Sequence, residues 1–166
     1  NEYEKALDYF QQSLDMGYEV DDKWRIAGSL SNIGNVYKHI GDYDLALDYT
    51  ARSIKIREKY GEISQLGSWF GIVGEINIHK GNFAKALENL NFAIEKRDNI
   101  DMHWLAWIYY NLGYYYLRNS QYENAIGYLE KSLNIQNDID ETTNKPETSI
   151  LLYLSYKNIG KNYDEK

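Results

Sequence analysis

The side chains that could do chemistry are few in kind. The 166-residue sequence has three histidines, no cysteine, and 25 aspartates and glutamates. Without cysteine there are no thiolate nucleophiles, disulfides or thiolate metal sites. His39 and His79 fall in one column of a repeated pattern. Joint metal ligation would need them within about 4 Å of each other, whereas packed helices stand roughly 10 Å apart. Arg118, which stays charged and cannot ligate, shares their column. All three suit the last turn of a helix, where the dipole favours a basic or polar group. His103 is assigned no role. Glu2, Glu4, Asp42, Asp44, Glu58 and Glu62 cluster at expected helix ends and turns, where capping and solvation account for them. No nucleophile elbow, phosphate loop or zinc signature is present. The expectation is therefore no catalytic residue, no metal, no cofactor and no enzymatic activity.

The elements that would position any site are read from the stretch Ala27 to Ile54, AGSLSNIGNVYKHIGDYDLALDYTARSI. Leu30, Ile33, Gly34 and Tyr37 recur at helical spacing on one face. Gly41-Asp42 then breaks the helix. Ala46, Leu47, Thr50, Ser53 and Ile54 mark one face of a second helix. Gly34 and Ala46 are small, so two antiparallel helices can approach closely there.

The unit repeats. Gly34, Gly74 and Gly113 recur at a nearly constant interval, and Gly160 is read as a fourth member. Ala6, Ala46, Ala86 and Ala125 keep the same period, as do Tyr3, Tyr43, Phe83 and Tyr122. A constant period of about 40 residues means stacked helical hairpins. The expected architecture is an all-α, right-handed superhelical solenoid forming one array over 1–166. It comprises a half repeat (1–16), full repeats at 21–60, 61–99 and 100–138, and a final half repeat (146–166). Gly17 is expected to cap the first helix, and Asp21 or Asp22 to start the second. The interval from Gly113 to Gly160 is longer than the others. The polar stretch 137–145 is therefore read as a loop holding about eight extra residues before Pro146 opens the last helix.

Composition narrows the function. The net charge is −7 and no basic run exceeds two residues, so no nucleic-acid partner is expected. No apolar run approaches a membrane span and no signal peptide is visible. Together with the lack of cysteine this suits a reducing compartment, and a cytoplasmic location is expected. Tyrosine dominates an aromatic content of 15%, as suits a helical core whose hydroxyls reach the edge. The sequence starts at Asn1 and stops at Lys166 within repeats, so it is read as a fragment. Leu7 and Leu14 at one end, with Leu154 and Ile159 at the other, are expected to support self-association through open apolar faces.

The columns Leu30, Ile33, Gly34 and Tyr37, followed by Ala46 and Ser53, resemble the tetratricopeptide repeat family over nearly the whole chain. The period exceeds that family's usual length of about 34 residues. The proline ending its second helix is replaced by Glu58, Asp98 and Asn137. That pattern is similar to the family's long-period subgroup. The resemblance implies binding of a protein or peptide segment in a concave groove lined by the first helices. Facing residues are implied at −6, −3, +1 and +4 from each marker glycine. These are Gly28, Ser31, Asn35 and Lys38, then Ser68, Gly71, Glu75 and Ile78. They continue as Trp107, Tyr110, Tyr114 and Leu117, then Leu154, Lys157, Lys161 and Asp164. The partner-binding candidates are Asn35, Lys38, Glu75, Trp107, Tyr110, Tyr114, Lys157 and Lys161. Trp107 is either an anchor for the partner or part of the core. Some family members clamp acidic C-terminal peptides with Lys, Asn and Arg. Here Asn35 matches one clamp position, but Ser31, Ile72 and Trp107 stand where others are needed, so such tails are not expected. The resemblance leaves two readings: a scaffold docking a partner segment, or a sensory or dimerising part of a larger bacterial signalling regulator.

Overall fold

The computed structural model describes residues 2–61, 66–96, 101–139 and 145–160. It contains eight helices and, among these residues, no strand. In chain order they are α1 (Glu2–Glu19), α2 (Lys23–Ile40), α3 (Tyr43–Lys59), α4 (Leu66–Lys80), α5 (Phe83–Glu95), α6 (Met102–Arg118), α7 (Tyr122–Asp138) and α8 (Lys145–Asn158). The hairpins are α2/α3, α4/α5 and α6/α7. Helix α4 also packs on α6, and α6 on α8, so the first helices of successive hairpins form one layer.

Each expected small-residue contact is present. A Cβ on Gly34 would lie 3.2 Å from the Ala46 carbonyl, one on Gly74 would lie 3.4 Å from that of Ala86, and one on Gly113 would lie 3.3 Å from that of Ala125. The tightest obstacles come one turn further along the second helix. They are Thr50 Oγ1 at 2.8 Å, Leu90 Cγ at 2.6 Å and Leu129 Cγ at 2.4 Å. Leu90, Leu129, Leu30 and Leu112 are all fully buried around these contacts. Each such side chain contributes about 1.5–3 kcal/mol by leaving water. Ser53 and Ser132, equivalent in their hairpins, donate buried hydrogen bonds to the Ala27 and Ala106 carbonyls at 2.7 and 2.8 Å.

Two glycines have other roles than those expected. Gly17 lies inside α1, which runs on to Glu19. Ile26 Cγ1 would be 2.9 Å from a Cβ there, so Gly17 admits α2 to close contact and does not cap the helix. Gly160 lies beyond α8 with φ +73°. The same left-handed turn occurs at Gly41, Gly81 and Ser120, which keep the repeat period up to Gly160. In each, the N–H bonds back to the carbonyl three residues earlier, at Lys38, Ile78, Leu117 and Lys157. Gly160 therefore takes the column of the left-handed residues that end α2, α4 and α6, and Tyr153 occupies the marker-glycine column. Thr148, Leu152 and Ser155 are buried on α8 just as Ile108, Leu112 and Tyr115 are on α6, one repeat earlier. The period is thus uniform, and the expected insertion is not there. Helix α7 itself reaches Asp138 across the start of the expected loop.

Asp22 and Asp42 cap α2 and α3 by accepting from backbone N–H groups at 3.0–3.1 Å. Of the residues expected to form open ends, Leu14 is buried against Ile26 and Leu30, with Leu7 packed on the same cluster. Ile159 packs on the Leu129 and Leu152 cluster. Leu154 is exposed, beside Ile150 and Tyr153.

Candidate partner-binding groove

Trp107 lies over α4 because position 71 has no side chain. A Cβ on Gly71 would come within 3.0 Å of Trp107 Cζ3 and of Ile108 Cγ1. Trp104, one turn before, meets Trp107 edge to face at 5.4 Å and 88°. With Trp69 of α4 they line a cleft of about 420 Å³ at the meeting of α2, α4 and α6. Ile72, Ile76 and Ile54 extend its apolar wall, and Ser31, Asn32, Asn35, Lys38 and His103 bring polar groups to it. Trp107 is half-buried, so it is both a packing residue and part of an accessible wall. Trp69 is buried, with the Arg57 guanidinium 5.0 Å from its ring centroid.

Of the expected groove residues, Asn35, Lys38 and Trp107 share this cleft. Lys38 and Glu75 pair with each other, Nζ to Oε2 at 2.7 Å, with their side chains only 16% and 15% exposed. The cleft's lysine is thus already neutralised. Ser31 is turned toward α3, 2.8 Å from Ser53 Oγ. Tyr110 and Tyr114 lie farther along the layer. Tyr110 packs against the α7/α8 cluster, and burial, with Glu147, Tyr114 and Glu75 nearby, holds its phenol above its usual pKa. The Tyr114 ring lies 6.3 Å from that of His79, which stacks on Tyr43 at 5.7 Å. Lys157 is exposed and takes the +4 column in the corrected register, whereas Leu154 moves to +1. Lys161 and Asp164 lie outside the described residues.

Trp69, Ile76, Asn32 and His103 belong to the cleft and were not among the sequence candidates. The available signal was Trp69 itself, a large ring five residues before a marker glycine, where Ser29 and Ile108 stand in the neighbouring hairpins. Among the described residues no three His, Asp or Glu side chains gather as a metal site. Nor is any described helix long and apolar enough to cross a membrane.

Stacked antiparallel hairpins with small residues at each crossing, and a cleft on the layer of first helices, define a helical-repeat solenoid. The chain belongs to the tetratricopeptide repeat family: two tetratricopeptide repeat models match residues 26–60 and 65–138. The fold is accordingly the right-handed superhelical array of that family. Among solved structures it is similar to BtubC (BKLC) from P. vanneervenii, with a TM-score of 0.81, 21% identity, and coverage of 96% of this chain and 67% of that one. A kinesin light chain from Podosopora anserina with nearly identical TPR-like repeats gives 0.71 at 16% identity, covering 95% and 79%. The TPR2B domain of yeast Sti1, solved in a complex with pHsp70, gives 0.65 at 17% identity, covering 79% and 96%. Comparison with curated protein sequences gives no match.

Proposed function

We propose that this segment is a non-catalytic protein-interaction module that seats a partner's apolar or aromatic side chain in the Trp69–Trp104–Trp107 cleft. The observation that carries this reading is the cleft itself: three indole rings around about 420 Å³ on the inner helical layer. Tryptophan is enriched among binding hot spots because it offers a large apolar surface with few torsions to freeze. Asn35 and Asn32 at the rim supply amide donors and acceptors for a partner's backbone. With Lys38 held by Glu75, the cleft offers no unpaired lysine for a terminal carboxylate. An internal segment therefore fits better than an acidic C-terminus. Tyr110, Tyr114 and Lys157 would meet the rest of that segment.

The test is selection from a displayed peptide library, followed by titration of the selected peptides with Trp107→Ala. Selected segments should carry an aromatic or long apolar residue. The substitution should weaken them by about 2 kcal/mol or more, roughly thirtyfold. Peptides that bind wild type and Trp107→Ala equally would sink the reading.

A further inference from the structure

A second cleft, of about 540 Å³, opens between α3 and the α4/α5 hairpin, and its cause can be read column by column. In the first hairpin, Tyr37 and Tyr49 stack at 5.6 Å and 17°. In the third, the equivalent Tyr116 and Tyr128 stack at 5.4 Å and 3°. In the second hairpin the same two columns hold Asn77 and Asn89, and both line the opening. Their amides are turned back onto their own helices, Asn77 donating to the Val73 carbonyl at 2.8 Å and Asn89 to that of Lys85. Two short side chains replace two rings, and the space widens: the equivalent opening beside Tyr37 and Tyr49 is about 290 Å³.

The floor of the space is apolar, formed by Phe70, Val73 and Ile54. The rim is basic, with Lys55, Lys80 and Lys85 against a single acid, Glu58. Lys80 pairs with Asp44, whereas Lys55 and Lys85 make no ion pair among the described residues. On a chain of net charge −7 this is a local reversal of sign. Its volume is that of a ligand pocket, a few hundred cubic ångströms.

We infer that this outer cleft is a second docking site, for an acidic protein segment that inserts one aromatic side chain where the neighbouring hairpins keep their own tyrosines. The inserted ring packs on Phe70 and Val73, and its flanking carboxylates meet Lys55 and Lys85. Exposed charge pairs of this kind act within a screening length of about 8 Å at physiological salt, so binding weakens as salt rises. The site shares only Ile54 with the tryptophan cleft and does not depend on the reading given for it.

The experiment uses a capped peptide of glutamate and serine with one central phenylalanine, observed by NMR on the labelled chain. The Asn77 and Asn89 side-chain amide resonances should shift. Replacing the phenylalanine by alanine, or every glutamate by lysine, should weaken binding about tenfold or more. Asn77→Tyr with Asn89→Tyr should occupy the position of the inserted ring, as Tyr37 and Tyr49 do in the first hairpin, and abolish binding. Lys55→Glu with Lys85→Glu, both exposed and safe for folding, should weaken it comparably. Trp107→Ala should leave it unchanged. The inference is overturned by several results. These are no amide shift at millimolar peptide, equal binding of the alanine peptide, or retained binding by the filled double variant. So too is self-association of the chain that the filled variant abolishes, which would make a second copy the occupant.

Discussion

The outer hairpins and the middle one share a backbone and differ in what fills it. In α2/α3 and α6/α7 a pair of stacked tyrosines fills much of the space between the helices, and the opening beside Tyr37 and Tyr49 is only about 290 Å³. In α4/α5 two asparagines leave it open. Yet the crossing of the middle hairpin is as tight as the others, with Leu90 Cγ at 2.6 Å from the position of a Gly74 Cβ. The difference teaches that the close crossing and the ring stack are separate devices. The first sets the hairpin's geometry through hard contacts. The second supplies burial and can be dropped where a surface is needed.

The largest effect expected from this comparison is conversion of the third hairpin into the second. Tyr116→Asn with Tyr128→Asn removes two stacked rings and should cost roughly 3–5 kcal/mol, the scale of deleting a large buried side chain. Chemical denaturation would measure it. A loss below about 1 kcal/mol would mean the stack is dispensable everywhere. Next comes Gly74→Leu, which should cost about 1–3 kcal/mol by overpacking against Leu90. An unchanged melting temperature would show that the middle crossing is slack, contrary to its contacts.

A smaller effect separates the hairpin turns. Asp42 accepts from Leu45 N–H, whereas Asn82 and Gln121, at the same point, make no side-chain cap bond. Asp42→Ala should therefore cost about 1 kcal/mol. Asn82→Ala should cost clearly less, and equal losses would mean that the cap adds nothing. The smallest effect is on alkaline stability. Tyr110 has its phenol raised by burial and by Glu147, so its neutral form is favoured in the fold. That contribution is complete below the unfolded value of about 10 and is lost as pH rises through the higher folded value. Tyr110→Phe should flatten the fall of melting temperature above a pH of about 10. An identical slope would remove Tyr110 as its source.

Much of the fold was legible because each hairpin is a local object. Its apolar faces, small residues and turn lie within a single repeat, and their columns recur in the sequence. Gly34, Gly74 and Gly113 could be placed with Ala46, Ala86 and Ala125 for that reason. Gly160 could not. A glycine in a sequence states only that no Cβ is present. It does not say whether that absence admits a neighbouring helix or permits a positive φ. The backbone at Gly160, with φ +73°, decides for the turn and moves the marker column of α8 back to Tyr153.

The helical period, the all-α class and the absence of thiol chemistry follow from residue types and spacing along the chain, whereas Asn35, Lys38 and Trp107 are reached only through the family resemblance. The tertiary structure alone decided what lies between repeats. It paired Lys38 with Glu75 across 37 positions, brought Trp69 beside Trp104 and Trp107, and left the lysine-rimmed space at Asn77 and Asn89. The physical reason is that such clefts are bounded by side chains from separate hairpins, and whether they close depends on the volume of each filler and on how the helices stack.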